Sequence, residues 1–265
     1  MIDIDNKKRI VIKIGTSTLT HRKSGRLNIR RLNNLVSVIA DLKNQGRDVV
    51  IVSSGAVGLG LGRLGIAEKP SDTPTKQAAA AVGQCELMYM YDERFGKYGI
   101  TVAQILLTKT ILQQDRRKNV ENTMEKLLES GVIPIVNEND TVAIDELELD
   151  FGENDTLSAI VAQLCKADLL VILTDIDGLY DENPNENPNA NIIHEVEEIT
   201  EDIYMAAGGK GSKFATGGMQ TKLDAAMIAH SAGIDMAIIN GRDPENIYRL
   251  FDGEEIGTIF PCKQN

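Results

Sequence analysis

Short β-branched runs recur along the chain, separated by longer segments in which apolar residues return every three or four positions. The runs are Arg9–Ile14, Asp48–Ser53, Ile100–Leu106, Val132–Asn137, Asp168–Thr174 and Ile234–Asn240. They are apolar almost throughout instead of alternating, which predicts strands covered on both faces, as in a parallel sheet. The intervening segments predict helices over Asn28–Gln45, stopped by Gly46, over Thr75–Lys97, over Lys118–Ser130, stopped by Gly131, and over Asn154–Lys166. Met219, Leu223, Ala226, Met227 and His230 keep helical spacing, so a further helix begins near Gly218. Strands and helices in alternation define an α/β protein, a three-layer sandwich with a mainly parallel central sheet.

Two stretches fall outside this rhythm. Asp181–Asn191, rich in Asn and Pro, is expected to be a surface loop, and Thr141–Asp150 a short extended excursion of hairpin type. Neither an internal repeat nor a linker divides the sequence, so one domain over 1–265 is expected.

Composition narrows the classes of function. The apolar share of 42% and charged share of 25% are those of an ordinary globular protein. A net charge of -11, with the basic residues scattered, opposes binding to a polyanion, so no nucleic-acid partner is expected. No apolar run approaches the roughly 18 residues a membrane helix needs, and no membrane association is expected. Cys85, Cys165 and Cys262 are far apart and show no metal-ligand spacing, which fits a reducing, cytoplasmic setting.

The chemistry-bearing residues gather where strands end, the place at which an open α/β sheet forms its ligand crevice. Lys13 follows Ile12 in an otherwise apolar strand and precedes Gly15; it suits an anion there, or a lysine snorkelling at a strand edge. Ser54 and the glycines of Val52–Gly58 either cradle a carboxylate or phosphate or make a tight turn. Asn137–Asp140 and Phe151–Asp155 cluster carboxylates and amides without a basic side chain among them, which suits an ammonium group or a metal ion; helix capping accounts for Asn154 or Asp155 alone. Thr174 and Asp175 begin another polar turn.

The segment GSKFATGGMQTK, from Gly211 to Lys222, matches neither a Walker loop nor a dinucleotide loop. It still brings consecutive glycines to a helix N-terminus with Lys222 in the first turn, a combination suited to nucleotide phosphates; a flexible surface loop is the alternative. His21, His194 and His230 lie in no motif, so neither a histidine base nor a zinc site is expected.

In this order the motifs VIKIGTS, VSSGAVGLG, KQAAAAVGQ, PIVNENDTV, FGENDTLSA, LTDIDGLY and TGGMQTKLDAA resemble the amino acid kinase family. They are most similar to the branch that phosphorylates the side-chain carboxylate of free glutamate at the start of proline synthesis. The resemblance spans nearly the whole chain and implies the amino acid kinase fold, with an N-terminal part for L-glutamate and a C-terminal part for ATP. It implies ATP and Mg2+ as co-substrate and cofactor, with no dedicated protein ligands for the metal. Lys13, Gly15, Thr174, Asp175, Thr216, Gly217, Gly218, Met219, Gln220, Thr221 and Lys222 would serve the nucleotide. Ser54, Asn137, Asp140 and Asn154 would hold glutamate, and Asp155 would stand between Lys13 and Lys222, these three forming the catalytic group.

The attacking carboxylate has an ordinary pKa of about 4.3 and needs no general base at neutral pH, which agrees with histidines outside every motif. The resemblance further implies proline as feedback inhibitor and a homo-oligomer. Ala215 and Glu121 replace a Gly and an Arg common in the family, and the sequence stops before the PUA domain that many relatives carry. Two alternatives stay open: another acceptor within the family, such as acetylglutamate, carbamate or a nucleoside monophosphate, and a non-catalytic nucleotide sensor.

Overall fold

The computed structural model describes residues 3–21, 27–68, 70–108, 111, 113–142, 154–184, 187–207 and 217–262. Its strands are β1 Arg9–Ile14, β2 Asp48–Ser53, β3 Val102–Leu107, β4 Ile133–Glu138, β5 Leu169–Thr174, β8 Asp235–Asn240 and β9 Thr258–Phe260, joined in one sheet of order β3-β4-β2-β1-β5-β8-β9. Every pairing in that sheet is parallel except β8 with β9, which is antiparallel. The predicted runs agree with the parallel strands to within two residues; only the short β9, at the sheet's edge, was not anticipated. The ribbon of β6 Leu179–Tyr180 and β7 Ile192–Ile193 flanks the loop expected over Asp181–Asn191 and makes it the tip of a small hairpin. Most of the excursion expected at Thr141–Asp150 lies outside the described residues.

A single helical turn, α1 Thr16–Leu19, follows β1, and longer helices cover both faces of the sheet. The two-residue period of a strand sorts the side chains between those faces. Ile10, Ile12 and Ile14 of β1 join Ile51, Ile135, Leu169, Val171 and Leu173 in one apolar cluster. That cluster is closed by α2 Ile29–Asn44, α4 Thr73–Gly96 and α9 Asn246–Phe251. Val11, Val50, Val52, Val136, Leu170 and Ile172 point the other way, against α5 Gln114–Glu129, α6 Asn154–Leu164 and α8 Gly217–Ser231. This alternation places the site's residues. Lys13 shares the face of Val11 and meets α6, whereas Asn137 shares the face of Ile133 and Ile135 and meets α4.

Local signals explain the helix ends. Asn28 accepts a hydrogen bond from the Arg31 N–H and Asp72 from the Thr75 N–H, each satisfying a free donor of the first turn. Between β2 and α4 the glycine-rich AVGLGLGRL, for which no helix was expected, forms α3 Ala56–Leu64. Helix propensity is poor there, and packing compensates. A Cβ on Gly60 would fall 1.8 Å from the Ala79 carbonyl oxygen, and one on Gly83 1.7 Å from that of Ala56, so α3 and α4 touch backbone to backbone. Gly55 opens α3 with φ of +106°, a conformation an L-residue rarely takes.

Candidate active site

The carboxyl ends of β1, β2 and β4 open into a cleft of about 550 Å³ lined by Lys13, Gly15, Ser54, Asn137, Asp140 and Asn154 among others. Residues read from separate motifs therefore meet in one place. Ala56, Val57 and Gly58 also line it, so the N-terminus of α3 faces the cleft, and no side chain caps it. Its free N–H groups and positive dipole end favour an anion there. Ser54 donates its hydroxyl hydrogen to the Ile14 carbonyl at 3.1 Å, tying the β1 and β2 ends together.

Beside the cleft stands a buried triad of charges. The Asp155 carboxylate, in the first turn of α6, is fully buried. Lys13 Nζ forms an ion pair with its Oδ1 at 2.6 Å. Lys222 Nζ donates to Oδ2 at 3.0 Å and to the Gly218 carbonyl at 2.6 Å, and the Thr221 hydroxyl donates to Oδ2 at 3.1 Å. Burial by itself pushes the Asp155 carboxyl up, but the two ammonium groups together reverse this and hold it below the usual aspartate range. Two cations on one anion leave the triad with a net positive charge in a place of low solvent exposure, which attracts phosphate.

Asp140 is in the opposite condition. Burial raises its pKa, and among the described residues its side chain makes no hydrogen bond or ion pair. The amides nearby form a row: Asn154 Nδ2 donates to Asn137 Oδ1 at 3.2 Å, and Asn137 Nδ2 donates to Gln84 Oε1 at 2.9 Å. Sequence reading missed Gln84, although it closes the motif KQAAAAVGQ, because nothing in a helical sequence says which strand end its side chain will meet.

The remaining nucleotide candidates are spread more widely. Thr174 is buried at the end of β5, where its carbonyl accepts from the Gly241 N–H at 2.8 Å. Asp175 is exposed and pairs with Arg242 at 3.5 Å. Gly217 and Gly218 open α8, with Met219 packed against the apolar cluster under that helix. The Gln220 amide donates to the Tyr204 hydroxyl at 3.2 Å, on α7 Glu201–Ala206. Thr216, with the loop from Gly211 that leads to it, lies outside the described residues, as do Phe151, Gly152 and Glu153.

Among the described residues no three His, Cys, Asp or Glu side chains gather as a metal cage. Mg2+ commonly keeps several waters and takes the rest of its ligands from substrate phosphates. The donor set here therefore fits Mg2+ as a companion of bound nucleotide phosphates, not as an ion held by protein alone.

A parallel sheet with its crevice at the carboxyl strand ends, and two buried lysines organised by one carboxylate beside that crevice, define a phosphotransferase without a Walker loop. The chain belongs to the amino acid kinase family, whose family model matches residues 8–240. It is 52% identical over 264 residues to the glutamate 5-kinase of Clostridium perfringens, covering 98% of each chain, and 50% identical to that of Listeria monocytogenes, covering 98% of this chain and 95% of the relative. Among solved structures, a carbamate kinase from Giardia lamblia bound to AMP-PNP superposes with a TM-score of 0.68 at 18% identity, over 97% of this chain and 99% of that one. A UMP kinase from Bacillus anthracis gives 0.66 at 17% identity, over 97% of both chains. At that identity the structural likeness concerns the fold.

Proposed function

We propose that this protein transfers the γ-phosphoryl group of ATP to the side-chain carboxylate of L-glutamate, giving L-glutamyl 5-phosphate, the first step of proline biosynthesis. The observation that carries the site assignment is the buried Lys13–Asp155–Lys222 triad bordering a cleft that Asp140, unpaired among the described residues, also lines. The triad suits a phosphate and Asp140 an ammonium group, and free glutamate bears both an ammonium group and the acceptor carboxylate. An acetylated amine has no positive charge to give Asp140, which disfavours N-acetylglutamate as acceptor.

In this reading the glutamate side-chain carboxylate, ionised at neutral pH, attacks the γ-phosphorus in line as the bond to the ADP oxygen breaks. Lys13 and Lys222 bear on the oxygens of the transferring group, where negative charge concentrates, and Asp155 fixes both ammonium groups before substrate arrives. Mg2+ supplies further neutralisation of the nucleotide phosphates when bound with ATP. The α3 N-terminus takes an anionic group of the substrates, and Ser54, Asn137 and Asn154 position glutamate. Thr174, Asp175 and residues 216–221 serve the nucleotide. A sensor of nucleotides has no use for a pair of lysines aimed at the transferring phosphate, which favours catalysis.

Further parts of the reading concern regulation and setting. Proline shares the α-ammonium and α-carboxylate of glutamate, so feedback inhibition at the Asp140 end follows from the same contacts. A homo-oligomer belongs to the same reading, as the family resemblance implies. The three cysteines are free, as suits a cytoplasmic protein, and no described helix is long and apolar enough to cross a membrane.

The decisive experiment supplies ATP, Mg2+ and hydroxylamine with glutamate, N-acetylglutamate, carbamate or UMP, and reads ADP and hydroxamate. Glutamate-dependent hydroxamate is expected. Turnover with another acceptor alone would reject the assignment of Asp140 and Asn154.

A further inference from the structure

The row of amides behind the cleft begins at a residue that does not line it. Gln84 is 8% exposed, sits on α4, and offers Oε1 to Asn137. Its own Nε2 is buried and has no partner among the described residues. An unsatisfied buried donor is costly, so an amide here calls for an explanation that an apolar side chain would not need.

We propose that Gln84 is a positioning residue: as the buried acceptor end of the row, it holds Asn137 with its carbonyl toward Asn154, so that Asn154 presents its own carbonyl to the α-ammonium group of glutamate. The inference rests on the glutamate reading above. Each side-chain amide has one acceptor end and one donor end, and linked amides must all run the same way. With Gln84 accepting, Asn137 donates inward and accepts from Asn154 Nδ2, and among the described residues Asn154 Oδ1 is left without a donor. An ammonium group has three hydrogens to place. Asp140, lining the same cleft, supplies the charged acceptor, and Asn154 Oδ1 a neutral one. Were the row reversed, Asn154 would show that ammonium an NH2 group and repel it.

The fold supports this placement from beneath. Gly83, next to Gln84, is the point at which α4 meets the Ala56 carbonyl of α3. The contact that brings the α3 N-terminus to the cleft therefore also seats Gln84 under β4.

The test compares Gln84→Met and Gln84→Glu in the full chain, reading KM for glutamate and for ATP, kcat, and the preference for glutamate over glutarate, which lacks the ammonium group. Gln84→Met removes the acceptor at similar volume. It is expected to raise glutamate KM roughly tenfold or more while ATP KM stays within about twofold, and to erode the preference over glutarate. Gln84→Leu carries the same expectation should the methionine variant not fold. Gln84→Glu keeps an acceptor oxygen for Asn137 in either protonation state, and is expected to keep glutamate KM within about threefold of the unmodified protein. An unmoved glutamate KM in Gln84→Met, a parallel rise in both KM values, or a Gln84→Glu as impaired as Gln84→Met would each overturn the proposal. Absence of glutamate-dependent hydroxamate from the unmodified protein would instead overturn the function, and the inference with it.

Discussion

Lys222 holds a buried charge against Asp155 and the Gly218 carbonyl, and in the proposed reaction it also meets the transferring phosphate. On the proposed mechanism, replacing it with alanine removes one of two cations at the reacting oxygens, and a single such donor is typically worth about 10²–10³ in kcat. Lys222→Ala should therefore turn over slower by roughly that factor, with a much smaller change in ATP KM; unimpaired turnover in a steady-state assay would remove Lys222 from the chemistry. The role proposed for Asp140 is in binding. Asp140→Asn should raise glutamate KM strongly and leave ATP KM nearly unchanged. Because burial raises its pKa, glutamate binding should weaken as pH falls while still above the ordinary aspartate value of 3.8, as the carboxylate takes up a proton. In Asp140→Asn that acidic limb of kcat/KM for glutamate should disappear, leaving the limb set by the substrate's own carboxylates; persistence of the same limb would assign it to another group. Both residues were legible in the sequence because each is a charge at a strand end or helix start. Gln84 was not, since an uncharged amide inside a helix carries no such mark.

At the level of elements, α3 and α4 act as one part. The cleft-facing N-terminus of α3 depends on contacts too close for any side chain at Gly60 or Gly83. Gly83→Ala places a Cβ 1.7 Å from the Ala56 carbonyl oxygen and must push the helices apart, displacing Ala56 at the cleft and Gln84 behind it. A loss of about 1–3 kcal/mol or more in stability is expected, together with a raised glutamate KM, measurable by denaturant titration and kinetics. Gly62, in the same helix, has nothing within 4 Å of a Cβ and ordinary helical φ, so Gly62→Ala should stabilise by up to about 1 kcal/mol. Comparable effects of the two substitutions would mean that helix propensity, not helix–helix contact, governs α3. No helix was legible there in the sequence, because local propensity argues against a helix so rich in glycine. The packing partner, α4, begins only after the turn that follows α3.

Over the whole molecule, the same strands serve both apolar clusters: β1 sends Ile10, Ile12 and Ile14 to one and Val11 to the other, and β5 divides its side chains in the same way. Neither face can be lost without exposing the other side of shared strands. We therefore expect one cooperative unfolding transition, with fluorescence of the tyrosines and far-ultraviolet circular dichroism coinciding in denaturant. Two separated transitions would instead divide the chain into independently folding parts.

The sequence by itself determined the parallel strands, the main helices and most of the candidate site residues. Apolar runs, helical spacing and glycine stops are local signals, and a lysine in a strand or a carboxylate at a helix start is conspicuous wherever the chain later goes. Tertiary structure alone decided which groups meet. Lys13 and Lys222 are far apart in the chain, and only the parallel order of β1 beside β5, with α6 and α8 packed on the same face, brings both to Asp155. Strand alternation sends Lys13 to one face and Asn137 to the other, and the start of α6 joins the two groups, Asp155 holding the lysines and its neighbour Asn154 donating to Asn137. Pairings of that kind depend on long-range packing, which no local run of residues encodes.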